Sequence, residues 1–279
     1  MRFRIFGNGA FGSALSVVFR RNMLLEDSLG DVFEPFLPGD IAVPAVPSDV
    51  LFLVLKKIEH LGRPEAIMLV SKGISTSKLV TQDLTDRKID IPMLYFLGPN
   101  LAGEIMENTE FLSATLAGPA HLTQPIADFL EDMIIDQTED LILAQIAGFM
   151  KNITAFVIGF LAPNQNGRAT LIAQGMKEAA ILAKKLGSTS YSEPNNFARA
   201  CFSDFVLTCT SPNSRNFQAG LNLKNGLVKN ETQESLKSVD HIFGLKGDLN
   251  LPITQFFHDL VKFGNSDRAL LQKQIREFR

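Results

Sequence analysis

The sequence is poor in cysteine: Cys201 and Cys209 are the two among 279 residues. Chains of this length from oxidising compartments more often carry disulfide pairs, so a reducing cytoplasm and packed free thiols are expected. Strong charge of either sign is also missing. A net charge of −3 and a pI near 5.9 exclude a nucleic acid or an anionic membrane held by bulk charge. His60, His121, His241 and His258 are dispersed without metal-ligand spacing, so no metal is expected. There is no G-x-S-x-G elbow, no internal repeat and no low-complexity segment. The start, MRFRIFGNGAFGSALSVVFRR, does not read as a signal peptide. A glycine-rich turn interrupts its apolar part, and no small-residue cleavage site follows. One apolar run, ILAQIAGFMKNITAFVIGFLA (142–162), is long enough to raise the question of a membrane. Its central Lys151 would cost about 2.5 to 3.5 kcal/mol on insertion scales. With no second span and no flanking basic cluster, it reads as a buried helix without membrane insertion.

What is present is a large apolar fraction, 46%, enough to bury the core of two domains. The first half alternates short apolar runs with helical patterns. Strands are predicted at 2–6, 40–46, 66–70, 93–97 and 111–117, with a marginal one at 23–25. ALSVVFRR and DVLFLVLKKIEHL between them carry helical spacing. This is the pattern of an α/β fold with a Rossmann-type parallel sheet flanked by helices. After residue 138 the texture becomes mainly α-helical. TLIAQGMKEAAILAKKLG, ITQFFHDLVKF and RALLQKQIREF are the clearest helices. The predicted domains are 1–137, binding a dinucleotide, and 138–279, carrying substrate and catalysis, with DQTED (136–140) as the junction.

RFRIFGNGAFGSAL has the form strand, Gly7-x-Gly9-x-x-Gly12, helix. In a βαβ unit the first glycine makes the tight turn. The second admits a pyrophosphate close to the backbone, and the third lets helix and strand pack. The helix N-terminus then meets the phosphates with free N–H groups. Glu26 and Asp27 stand near the spacing of an acid for the adenine ribose, with an exposed loop acid as the alternative. Ligands of such sheets bind beyond the carboxyl ends of the strands. Those ends read Pro47-Ser48, Ser71-Lys72-Gly73 and Gly98-Pro99-Asn100. Lys72 there could face the cofactor or an anionic substrate, or be a solvated surface lysine.

In the second half, a desolvated Lys151 would have its pKa lowered toward the range useful for proton transfer. The alternative is a lysine that snorkels out along a helix edge. DFVLTCTSPNSRN (204–216) gathers Asp204, Thr208, Ser214, Arg215 and Asn216. Arginine beside hydroxyl and amide groups suits a phosphate, and an acid within reach of a lysine can complete a proton path. A polar loop with a helix cap remains the alternative.

GNGAFGSAL, VPS, SKGI, GPNLAGEI, MKN, NGRATLIAQG, DFVLTCTSPNSRN and LPIT occur in this order. The order resembles that of bacterial-type NAD(P)-dependent glycerol-3-phosphate dehydrogenases. The resemblance implies a Rossmann-type N-terminal domain and a helical C-terminal domain. It also implies interconversion of dihydroxyacetone phosphate and sn-glycerol 3-phosphate for glycerophospholipid synthesis, with NAD or NADP as cofactor. Lys151 would be the catalytic lysine that exchanges a proton at the substrate oxygen, with Asn152 beside it. Asp204 would match the aspartate of a GLGDL loop, and Lys72 a lysine touching cofactor and substrate. Gly98 and Asn100 would contact substrate. Ser214, Arg215 and Asn216 would hold its phosphate end, with Thr208 in the same substrate set. Asn8, Ala10 and Phe11 in the glycine turn, Pro47, Ala102, Arg215 and Glu231 would contact cofactor. The implied partner is a phosphorylated triose or glycerol, with a homodimer left open.

Several positions depart from the family pattern. The region around 20–40 is shorter, CFSDF replaces GLGDL, Thr232 replaces a glycine, and Gln174 stands where many members have arginine. The shortened region admits an alternative, a non-catalytic dinucleotide- or phosphometabolite-binding homologue with a degenerate adenosine site.

Overall fold

The structure, a computed structural model, describes residues 1–19, 23–26, 34–71, 78–99, 101–107, 110–190, 202–227, 239–265 and 267–278. The first part runs β1 (Arg2–Phe6), α1 (Ala10–Val18), β2 (Met23–Glu26), β3 (Asp40–Pro44), α2 (Ser48–His60), β4 (Ala66–Leu69) and α3 (Val80–Asp86). It continues through β5 (Met93–Leu97), α4 (Ala102–Glu107), β6 (Ser113–Ala117), α5 (Ala120–Phe129) and β7 (Ile134–Thr138). The strands form one seven-stranded sheet in the order β2-β1-β3-β4-β5-β6-β7. Strands β1 to β5 are mutually parallel. Apolar side chains on both faces of β1 and β3 to β5 explain why these strands read as continuous hydrophobic runs.

Two features differ from the sequence expectation. β6 runs antiparallel to β5, so the sheet is mixed. An apolar run carries no information about strand direction, which is why composition read it as parallel. Phe111, expected inside that strand, sits before it in a left-handed conformation at φ 57. β7 was not predicted at all. It pairs with β6 at the sheet edge, and its sequence IIDQT lacks the apolar run of a central strand. The stretch 136–138, expected in the junction, is therefore strand, and the chain passes into the helices through Glu139 and Asp140.

The second part is helical: α6 (Leu141–Leu161), α7 (Gln165–Lys185), α8 (Asp204–Thr210), α9 (Arg215–Lys224), α10 (Val239–Lys246), α11 (Pro252–Phe263) and α12 (Arg268–Glu277). α6 is the one described helix apolar and long enough to span a membrane. Yet 83% of its apolar window is buried inside the protein, against α7, α8, α9 and α11. It lies in a core shared with the sheet. Phe6, Leu69, Tyr95 and Leu97 on one sheet face join Leu143, Ile146 and Met150 of α6 in one cluster. The other face, with Phe3, Ile5, Phe19 and Phe96, has its own core.

Polar ties fix α6 in place. Asp140 caps it by accepting from Leu143 N at 2.8 Å, and its other oxygen accepts from Ser188 Oγ, Thr189 N and Ser190 N. Gln145 donates to Thr81 Oγ1 at 2.7 Å and accepts from Thr81 N at 3.2 Å, joining α6 to α3. α9 comes so close to α6 that a Cβ on Gly220 would overlap the Phe156 carbonyl.

Glu178 of α7 binds the start of α11. Its carboxylate accepts from Ile253 N, Thr254 N, Thr254 Oγ1 and Gln174 Nε2 at 2.7 to 3.2 Å. Burial raises its pKa above the ordinary 4.5, against the opposing pull of those hydrogen bonds. A carboxyl with a raised folded-state pKa holds its proton more tightly folded than unfolded. Its stabilising contribution is therefore complete below the unfolded value and is lost as pH rises through the folded value. Urea unfolding of the wild type and Glu178→Gln across this range should show the wild type losing stability relative to the variant as pH rises. A difference that is flat with pH would contradict the raised value.

Candidate active site

Parallel strands bring their carboxyl ends to one edge, and the glycine turn sits there. Gly7 follows β1 at φ 126, a conformation that L side chains rarely adopt. A Cβ on it would come within 2.5 Å of the Ala45 carbonyl oxygen, and one on Gly12 would overlap the Gly7 carbonyl. A Cβ on Gly9 would meet nothing within 4 Å. The turn is thus closed on its strand side and open outward. Asn8, Gly9 and Ala10 are exposed and Phe11 is half-buried. Gly9 is the N-cap of α1, and the first turn of that helix holds no acidic residue. Outward-facing N–H groups at a positive helix end fit a dinucleotide pyrophosphate.

The neighbouring strand ends line the same edge. Pro47 is exposed at the start of α2, Gly98 is buried after β5, and Ala102 opens α4. The Ser71 hydroxyl, past the end of β4, is buried without a hydrogen-bond partner. Glu26 ends β2 in register with Phe6, so its backbone reaches the glycine edge as the ribose reading requires. Asp27, Lys72, Gly73, Asn100, Cys201, Glu231 and Thr232 lie outside the described residues.

On the helical side, Lys151 is 2% exposed, as is Asp204. Its Nζ is ion-paired with Asp204 Oδ1. The lysine therefore does not snorkel to solvent, and it is not isolated in apolar surroundings. A carboxylate from the first residue of α8 offsets the cost of burying it. CFSDF still delivers its aspartate to the lysine despite lacking the glycines of GLGDL. Thr208, one turn on, donates to Asp204 Oδ1 at 3.4 Å. Asn152 is half-buried beside the pair.

The third group lies at the start of α9. Ser214, 2% exposed, caps that helix by accepting from Phe217 N at 3.4 Å. Arg215 is exposed and Asn216 half-buried in the first turn. The polar-loop alternative is half right, because Ser214 is a cap. The cap is made by Ser214 alone, and the next two residues stand in the first turn of the helix it starts. Arg168 had no role in the sequence reading. It belongs to NGRATL near the start of α7, and its guanidinium lies 5.3 Å from the Phe217 ring centroid. A cation in the first turns of a helix without nearby acids was the signal for it.

A cavity of about 460 Å³ lies elsewhere, lined by Thr81, Gln82, Asp86, Glu139, Ile142 and Thr189. It borders Met93 at the start of β5, the opposite end of that strand from Gly98. It is not the candidate site.

The family model described as the C-terminus of NAD-dependent glycerol-3-phosphate dehydrogenase matches residues 140–272, and the corresponding N-terminus model matches 24–119. The chain belongs to the NAD-dependent glycerol-3-phosphate dehydrogenase family. It is similar to the glycerol-3-phosphate dehydrogenase [NAD(P)+] of Wolbachia pipientis wMel, 28% identical over 82% of this chain and 76% of that one. The Rickettsia typhi enzyme of the same name is 26% identical over 93% of this chain and 97% of its own. The crystal structure of glycerol-3-phosphate dehydrogenase from Coxiella burnetii shares the fold. Its TM-score is 0.79 at 22% identity, over 99% of this chain and 98% of that one. The N-terminal family match begins past the glycine turn, so the dinucleotide reading of Gly7 to Gly12 stands on its own geometry.

Cys209 lies next to Lys151, its Sγ 3.9 Å from the Lys151 carbonyl oxygen. Burial pushes its thiol up to about 12, with Lys151 and Arg168 pulling down and Asp204 pushing up. Only the thiolate is strongly nucleophilic. Iodoacetamide at pH 8 should leave Cys209 unmodified in folded protein and alkylate it in urea, as read by peptide mass. Rapid labelling of the native thiol would contradict its burial.

Proposed function

We propose that this chain interconverts dihydroxyacetone phosphate and sn-glycerol 3-phosphate with NAD(H) or NADP(H), as a cytoplasmic enzyme supplying glycerophospholipid synthesis. The observation that carries the reading is the buried Lys151–Asp204 ion pair in a chain of this family. Residues 1–137 hold the dinucleotide and 138–279 hold the substrate.

The open glycine turn fits a nicotinamide dinucleotide, with Gly7, Asn8, Gly9, Ala10, Phe11 and Gly12 around the pyrophosphate. Pro47, Ala102, Arg215, Lys72 and Glu231 complete the cofactor contacts. When bound, that cofactor supplies or accepts the hydride at the substrate carbon. The protein must then manage the charge on the substrate oxygen. Lys151 does so by donating a proton to the oxygen in reduction and accepting it in oxidation. Asp204 keeps Lys151 oriented, and Thr208 steadies Asp204. Lys72, Gly98, Asn100 and Asn152 border the reacting end of the substrate. Ser214, Arg215 and Asn216 anchor the phosphate, which lies away from the reacting carbon. Binding there can be used to orient the ketone.

The non-catalytic alternative would tolerate loss of the lysine or its acid, whereas both are present and paired. The test is consumption of NADH or NADPH in the presence of dihydroxyacetone phosphate. Turnover with at least one of them is expected, and none with either, in folded protein, would overturn the proposal. Lys151→Ala should lower kcat by about 10²- to 10⁴-fold while cofactor affinity stays within a few-fold. Near-normal turnover in that variant would remove Lys151 from the mechanism.

A further inference from the structure

Arg168 is the charged group that the proposed mechanism leaves without a task. Its Nε is buried and has no hydrogen-bond partner. None of its guanidinium nitrogens makes an ion pair or a hydrogen bond within the described residues. The terminal nitrogens are not sealed off as Nε is, so the end of the fork faces accessible space. A guanidinium held in this way is prepared for a partner that the described residues do not supply.

Its location narrows what that partner is. The head lies 5.3 Å from the ring of Phe217, whose N–H donates to the Ser214 cap. The guanidinium thus packs against the first turn of α9, the helix that Ser214 caps and that opens with Arg215 and Asn216. Its charge is also felt at Cys209, which touches the Lys151 carbonyl. Arg168 is thus held against α9 and is close enough to act electrostatically on Cys209, the neighbour of Lys151. It also sits near the N-terminus of α7, whose first turn carries no acidic residue. A cation at a positive helix end is unfavourable unless an anion joins it.

Charge balance points the same way. A phosphate monoester carries close to two negative charges at neutral pH. Lys151 is neutralised by Asp204 and contributes little net charge. Lys72 is assigned to the reacting end of the substrate, so at the phosphate end Arg215 supplies one positive charge against about two negative ones. We propose that Arg168 is a second cation for the substrate's phosphate, acting with Arg215 and offering its accessible nitrogens to the phosphate oxygens. This rests on the reading that the site takes a phosphorylated triose.

The test compares wild type, Arg168→Met and Arg168→Lys. Measured for each are kcat/KM with dihydroxyacetone phosphate, kcat/KM with phosphate-free dihydroxyacetone, competitive inhibition by inorganic phosphate, and NADH affinity. Arg168→Met should lose about 10- to 100-fold in kcat/KM for the phosphorylated ketone. It should weaken inhibition by inorganic phosphate in parallel and leave the phosphate-free reaction and NADH binding within about two-fold. Arg168→Lys should fall between it and wild type, because it keeps the charge and loses the fork. Equal losses with both ketones, or unchanged inhibition by phosphate, would make Arg168 a structural prop and overturn the proposal. Should Arg168→Met not fold, the same ratio in Arg168→Lys decides it. Wild-type turnover tests the underlying reading separately. If wild type turns nothing over, calorimetry of inorganic phosphate with wild type and Arg168→Lys still decides, and equal affinity overturns the proposal.

Discussion

A buried lysine must be matched or it destabilises the fold. Removing one partner of a buried ion pair costs about 3–5 kcal/mol, so Lys151 and Asp204 constrain each other and everything that positions them. Lys151 sits in the middle of a 21-residue helix that shares its core with the sheet. Asp204 begins α8, a helix packed directly on α6. For the two to meet dry, α6 must be held in register with its neighbours. The Asp140 cap, the Gln145–Thr81 bonds and the close approach at Gly220 each do part of this. Glu178 does another part by fixing the start of α11, where Thr254 reaches Met150, the residue before Lys151. Removing water from the pair strengthens its electrostatics, and the same dryness suits proton exchange with a substrate oxygen.

On the proposed function the sheet has a second task, which is to bring a dinucleotide to that lysine. Parallel pairing of β1 to β5 stacks the glycine turn and the ends of β3, β4 and β5 along one edge. The Gly7 and Gly12 contacts hold α1 against the strands closely enough that the turn between them faces outward. α6 contacts β5, so the strand that leads to Gly98 also touches the helix that bears the lysine. Phe6, just before the glycine turn, and Met150, just before Lys151, lie in one apolar cluster.

The local parts of this design were legible in the sequence. The glycine turn was, because its geometry is set within a few residues and lies between an apolar strand and a helix. Lys151 was visible as a cation in an apolar run, and Ser214-Arg215-Asn216 as polar donors clustered in a short stretch. What was not legible depends on distant contacts. Nothing near Lys151 says that Asp204 becomes its ion-pair partner. Only the resemblance placed both in one site, and their contact is a product of α8 packing on α6. β7 escaped notice because an edge strand need not be apolar on both faces, and the direction of β6 because burial pattern is blind to polarity of the chain. Arg168 stood in the NGRATLIAQG motif without a role because the Phe217 ring that locates it lies in α9.

The shortened stretch of the chain falls at one edge of the sheet. The shortened stretch flanks β2, which is four residues long and forms the outermost strand beside β1. β1 and β3 separate β2 from β4, and β5 lies beyond that. On the proposed function, with the adenosine toward β2, contacts missing there would be ones that bind reactant and transition state alike. Loss of such uniform binding raises the cofactor concentration needed and leaves the chemical step largely intact. The Lys151–Asp204 pair is carried by α6 and α8 in the helical half, and α6 joins it to the sheet at β5 and through the apolar cluster that holds Phe6, Leu69, Tyr95 and Leu97.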